Sequence, residues 1–157
     1  MLKYVETQIT FAEVPDEISL CINISGCVIR CKDCHSKYLW NNVGKPLEGN
    51  TIIKLLNRNI GISCLCFMGG DKNPQYINEL AEFTKDLFPK IKIAWYSGRD
   101  EISNKINLEN FDYIKIGPYI KEKGPLNIET TNQKMYEIRH YNSNKLVDIT
   151  YKFWKLK

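Results

Sequence analysis

Three cysteines, Cys27, Cys31 and Cys34, fall within eight residues of the stretch "ISGCVIRCKDCHSKYLW" (24–40). Their spacing is C-x3-C-x2-C, and no fourth cysteine follows nearby. Thiolates are soft ligands suited to zinc and to iron-sulfur clusters. No apolar run approaches the roughly 18 residues of a membrane span, and the opening "MLKYVETQITFAEV" is too polar for a signal peptide. The expectation is a cytoplasmic protein, where thiols stay reduced and clustered cysteines bind metal or do chemistry rather than pair as disulfides.

Three uses of the thiols compete. A structural zinc site closes with four Cys or His ligands. Here His35 adjoins Cys34, and neighbouring residues rarely both reach one tetrahedral ion. Cys64 or Cys66 could complete such a site from another strand. An electron-carrying iron-sulfur protein normally uses four cysteines, a pattern absent locally. The third use is a 4Fe-4S cluster with three irons held by protein and the fourth open to a ligand. An open coordination position is what a catalytic metal site keeps and a structural one lacks.

The elements around the loop are legible from periodicity. "ISLCINIS" (18–25) alternates aliphatic with small or polar residues and reads as a strand ending at Gly26. A helix is expected over 50–59, capped by Asn50 or Thr51 and stopped at Gly61. "ISCLCFM" (62–68) reads as a buried parallel strand before Gly69 and Gly70. Asn73 and Pro74 open a helix whose apolar face is Ile77, Leu80, Ala81, Leu87 and Phe88. A strand over 90–98, a short helix around Ile102 and Ile106, and a strand over 112–117 follow.

Alternating strands and helices imply an α/β fold with parallel strands and right-handed crossovers. The 157 residues fall short of the about 250 of a closed eight-fold barrel, so the expected architecture is an open partial (β/α) barrel, one domain over 1–157. Ligand loops in such sheets lie at the carboxyl ends of the strands. The cysteine loop, Gly69-Gly70, Ser97-Gly98 and Gly117 should therefore meet on one face. By this placement Ser97 and Lys115 would stand at that shared face. Cys21, Cys64 and Cys66, on strands, are expected as small core residues.

The formal net charge is +4, of which +3 falls from Lys145 onward. The tail "YKFWKLK" interleaves aromatics with lysines but is too short for a nucleic-acid groove. It is expected as a final strand or packed terminus with solvated lysines.

The cysteine motif after one strand, with Met68-Gly69-Gly70-Asp71 after the next, resembles the radical S-adenosylmethionine (SAM) superfamily. That resemblance implies that Cys27, Cys31 and Cys34 hold a 4Fe-4S cluster whose open iron takes the amino and carboxylate groups of SAM. Reductive cleavage of the sulfonium then gives methionine and a 5′-deoxyadenosyl radical, chemistry that belongs to the cofactor. It also implies that Met68, Gly69, Gly70 and Asp71 receive the SAM ammonium, with Gly70 allowing close ligand approach. His35 would contact the adenine, and Ser97 and Lys115, from later strand ends, could reach the ribose hydroxyls and the SAM carboxylate. Asp33 departs from the aromatic that many members carry there.

More narrowly, the short chain resembles activating proteins of glycyl-radical enzymes, and among them those of the anaerobic ribonucleoside-triphosphate reductase. The likeness rests on "SGCVIRCKDCHSKYLW", on Asp in "GGD" and on "GPLNIETTNQKMY" (124–136). It implies two partners: the large glycyl-radical subunit of that reductase, and an electron donor such as flavodoxin or ferredoxin. Nucleic acid and membrane are not expected. The alternatives are an activator of another glycyl-radical enzyme of the pyruvate formate-lyase type, a compact small-molecule radical SAM enzyme of the deazapurine type, or a zinc-binding interaction module.

Overall fold

A computed structural model describes residues 1–154. The N-terminal segment, whose pattern suggested no element, forms the longest strand, β1 (Leu2–Thr10). It pairs antiparallel with β2 (Ser19–Ile24) on one side and with the short β3 (Lys45–Leu47) on the other. Helix α1 (Gly49–Arg58) follows, then β4 (Cys64–Met68), α2 (Pro74–Leu87), β5 (Lys92–Tyr96) and β6 (Tyr113–Ile116). Strands β7 (Lys134–Arg139) and β8 (Lys145–Asp148) and the helical turn α3 (Tyr151–Trp154) complete the described chain.

All eight strands make one sheet in the order β3-β1-β2-β4-β5-β6-β7-β8. The pairs β2/β4, β4/β5 and β5/β6 are parallel, as the strand-helix alternation predicts. Parallel pairing is confined to these four central strands. The flanks are antiparallel, β3-β1 against β2 and β7-β8 against β6, so the sheet is evenly mixed rather than mostly parallel.

Alternation along the central strands separates two faces. Leu20, Ile22, Leu65, Phe67, Ile93, Trp95 and Ile114 point to the side covered by α1 and α2, which bury Ile52, Leu56, Ile77, Leu80 and Ala81 against them. Asn73 caps α2 as predicted, accepting from the Tyr76 N–H at 3.1 Å with Pro74 in the first turn. Glu48, rather than Asn50 or Thr51, occupies the cap position of α1 without a side-chain bond.

The opposite face carries small residues, Cys21, Cys64, Cys66 and Ala94, covered by Val14, Leu126, Ile149 and Phe153 from loops and α3. This face has no long helix over it among the described residues. The expected helix around Ile102 and Ile106 does not form. There, Ser103 Oγ accepts from the Lys105 N–H, and Asn78 Oδ1 accepts from the Asn107 N–H. Such side-chain bonds compete with helical backbone bonds, and only a 3₁₀ turn at Leu108–Asn110 follows, capped by Asn107.

The described part of the tail, Tyr151–Trp154, is a helical turn with Phe153 buried rather than a strand, while residues 155–157, with two of its lysines, lie outside the described residues. No helix is long and apolar enough to cross a membrane among the described residues.

Candidate iron-sulfur and ligand site

The cysteine loop leaves the carboxyl end of β2 and is pinched at its base. The Gly26 N–H donates to Asn41 O at 3.1 Å and the Cys27 N–H to Leu39 O at 3.0 Å. Gly26 has φ +76°, a conformation glycine adopts without strain. Within the loop, the Cys34 N–H donates to Cys31 O at 3.1 Å, closing a turn between the last two cysteines.

Two backbone amides already point at sulfur. The Ser36 N–H lies 3.3 Å from Cys34 Sγ and the Tyr119 N–H 3.3 Å from Cys31 Sγ. Hydrogen bonds to sulfur stabilise thiolate and tune the potential of a cluster bound there. All three loop cysteines are part-exposed.

The loop seats on the end of β5. A Cβ at Gly98 would sit 2.8 Å from Ile29 Cγ1, so only glycine lets Ile29 press there between Cys27 and Cys31. Gly98 is itself held by Asp71. The Asp71 carboxylate accepts from Gly98 N–H at 2.8 Å and from Ser97 Oγ–H at 2.5 Å, and Arg99 Nε lies 3.9 Å away.

This arrangement changes the reading of the glycine-rich turn. Asp71 and Ser97 are buried and bonded to each other, so a ligand ammonium or ribose would have to compete for groups already engaged. The Gly69 N–H donates to Tyr96 O at 3.0 Å and its carbonyl accepts from Trp95 Nε1 at 2.8 Å. Gly70, at φ +93°, would aim a Cβ at Ile77 Cδ1, 2.6 Å away, and toward Leu2. Its glycine answers to core packing and positive φ rather than to close approach of a ligand.

A cavity of about 500 Å³ opens beside the loop, lined by Cys34, His35, Met68, Tyr96, Lys115 and Gln133 among others. Four residues chosen from the sequence, Cys34, His35, Met68 and Lys115, thus meet around one space. Gly69, Gly70, Asp71, Ser97 and Cys31 do not line it, and Cys27 faces a separate cavity.

Lys115 is the most telling of these side chains. It is only 7% exposed, and its Nζ donates to Gly117 O at 2.7 Å and Ser97 O at 3.4 Å. No carboxylate of the described residues pairs with it at ion-pair distance, and the Tyr96 ring lies 5.7 Å away. Burial lowers its pKa to about 8, while Cys31, Asp71 and Glu13 pull it back up. An ammonium with one free donor, facing a cavity, suits an anionic ligand group.

Sequence reading missed Tyr119 and gave Gln133 no role in the site. The Tyr119 ring lies 5.2 Å from the His35 ring, tilted by 50°, and its amide serves Cys31. Its position just after Gly117, at the carboxyl end of β6, was the available signal.

Cys21, Cys64 and Cys66 are fully buried, and burial pushes the Cys64 and Cys66 thiols up. Cys66 Sγ sits 3.4 Å from Met68 Sδ rather than near the loop. No three or more His, Cys, Asp or Glu side chains of the described residues gather closely enough for a single metal ion. That holds for Cys27, Cys31 and Cys34 among themselves as well as for Cys64 and Cys66 with the loop.

No curated protein and no solved structure matches the chain. The family model for a 4Fe-4S single cluster domain matches residues 18–139, from the start of the β2 segment to the end of β7. That span covers over three quarters of the chain and includes the cysteine loop and every described residue lining the cavity except Ala12, Glu13 and Phe153. The chain, whose loop of three part-exposed thiols falls within the matched span, thus belongs to the 4Fe-4S single cluster domain family.

Proposed function

We propose that this protein is a radical SAM activating enzyme, built on an open partial barrel, that generates a glycyl radical on the large subunit of an anaerobic ribonucleoside-triphosphate reductase. When bound, the 4Fe-4S cluster would supply the electron that cleaves SAM reductively to methionine and a 5′-deoxyadenosyl radical. The observation that carries the reading is a strand-end loop of three part-exposed thiols, one of which, Cys34, lines an adjoining cavity, while the other three thiols are sealed in the core.

Each residue then has a physical task. Cys27, Cys31 and Cys34 would hold the cluster, and with no fourth thiol on the loop one iron would be open to SAM. Lys115 offers its ammonium to the SAM carboxylate, a charge-assisted bond strengthened by burial. His35, backed by the Tyr119 ring, presents a flat surface for adenine. Asp71 works indirectly, fixing Ser97 and Gly98, on which Ile29 and hence the loop rest. A volume of about 500 Å³ falls in the range of small-molecule sites. An electron donor such as flavodoxin or ferredoxin completes the cycle.

The test is anaerobic reconstitution with iron and sulfide, followed by reduction in the presence of SAM. The expected results are about four irons per chain by the cubane stoichiometry, formation of 5′-deoxyadenosine, and a glycyl-radical EPR signal when the reductase subunit is added. A signal on pyruvate formate-lyase instead would move the assignment to that partner. A colourless protein holding one zinc would overturn it.

A further inference from the structure

The turn after β4 leaves a ligand's amino group without its expected acceptor. Both oxygens of Asp71 are engaged, by the Ser97 hydroxyl and the Gly98 N–H, and Asp71 does not line the cavity of about 500 Å³. One acidic residue does line it, Glu13. Lys115 is the one lysine or arginine there, so the wall carries a single anion and a single cation.

Glu13 reaches this position from a loop that is fixed on both sides of it. The Ala12 N–H donates to Thr10 Oγ1 at 3.0 Å, and Val14 is buried against the small-residue face of the sheet. The Tyr96 hydroxyl donates to the Glu13 carbonyl, and Lys152 Nζ lies 2.8 Å from Asp16 Oδ2. Tyr96 also lines the cavity; burial pushes its phenol up, and the nearby Glu13 carboxylate adds to that shift. No cation of the described residues forms an ion pair with Glu13.

Opposite charges around one space, neither neutralised by the other at ion-pair distance, select a ligand that carries both. A phosphate would be repelled by Glu13, and a plain carboxylic acid would leave it without a partner. An α-amino-acid group answers both charges. Glu13 also lies outside residues 18–139, the span of the family match, as do Ala12 and Phe153 beside it on the cavity wall. The carboxylate is thus a feature of this chain's flanking segments rather than of the matched core.

We propose that Glu13 accepts a hydrogen bond from the α-amino group of SAM while Lys115 takes the carboxylate, which restricts the cavity to ligands with an intact amino-acid end. The proposal rests on the reading of this cavity as the SAM site. Glu13 then performs the task that the resemblance gives to Asp71, which here seats the cysteine loop instead. A site built to hydrogen-bond a polar group rejects the analogue lacking it, because its own buried group is left unpaired.

The experiment is anaerobic equilibrium dialysis of the reconstituted, unreduced protein against SAM and against the SAM analogue that lacks the amino group. The parent should bind SAM about tenfold or more tighter than the analogue, as one charged hydrogen bond gives. Glu13→Gln should lose about tenfold in SAM affinity and hold the analogue at least as tightly as the parent does. Glu13→Asp, charged but shorter, should also weaken SAM and not the analogue, which repeats the test with a second side chain. Glu82→Gln, exposed on α2, should match the parent with both ligands. Iron content and thermal melting should be alike in all variants, which separates loss of a ligand contact from loss of the cluster or the fold. Unchanged SAM affinity in Glu13→Gln, or equal loss of SAM and analogue, would overturn the proposal and leave the SAM reading standing. A parent that binds neither ligand would overturn both.

Discussion

The two ends of the parallel strands are built on opposite principles. At the amino end, the buried Glu17 carboxylate receives Lys92 Nζ at 2.6 Å, Tyr113 Oη at 2.9 Å and Ser63 Oγ at 2.5 Å. Its charge is compensated and both oxygens are hydrogen-bonded, which ties residue 17 to β4, β5 and β6. At the carboxyl end, Lys115 rests on carbonyls without a counter-ion among the described residues, and three thiols are part-exposed. Satisfied groups hold a fold together; unsatisfied ones are what a ligand or partner can use.

The largest effect should come from the thiols. Replacing Cys27, Cys31 or Cys34 with Ala should abolish cluster assembly, measured as iron content and visible absorbance. Cys21→Ala, Cys64→Ala and Cys66→Ala should keep the cluster and lose about 1–2 kcal/mol of stability from small buried voids. A Cys64→Ala protein without iron would erase the distinction between the two sets.

Glu17→Gln tests the amino end. It should cost about 1–3 kcal/mol in urea unfolding, because the Tyr113 and Ser63 hydroxyls lose a charged acceptor. Lys92 is half-exposed and can turn to water, which limits the loss. Iron content of the folded variant should match the parent. Loss of the cluster without loss of stability would show that the two ends are not separate.

The smallest effect is one of pH. Lys115 has its pKa lowered to about 8 by burial, so below that value it is charged and above it neutral. Affinity for SAM, through its carboxylate, should therefore weaken as pH rises through about 8, by about tenfold for one charge-assisted bond. Lys115→Gln should bind more weakly at low pH and show no such fall. Titrations by equilibrium dialysis at several pH values decide it; parallel profiles for parent and variant would remove Lys115 from the site.

The central strands and both long helices were legible because their signals are local. The run 62–68 has the length and apolarity of a buried strand, and Asn73-Pro74 marks a helix start on any background. The flanking strands β1, β3, β7 and β8 were not assigned. They are part-exposed and carry polar residues on both faces, as in "VETQIT", so no clean alternation marks them. The helix around Ile102 failed for a related reason: its apolar residues had the spacing, but side-chain bonds from Asn78 and Ser103 took the backbone donors.

Residue types and spacing alone determined that this chain gathers three thiols on one strand-end loop, and that parallel strands would bring other strand-end turns beside it. Tertiary structure decided what each of those turns does. Asp71, Ser97 and Gly98 lie 26 and 27 residues apart in sequence yet bond to one another, turning an expected ligand contact into the seat of the cysteine loop. Tyr119 reaches Cys31 across 88 residues. Chain pattern encodes ligands that are neighbours along the backbone; which buried polar groups satisfy one another depends on close approach between distant segments, and only the folded sheet sets that.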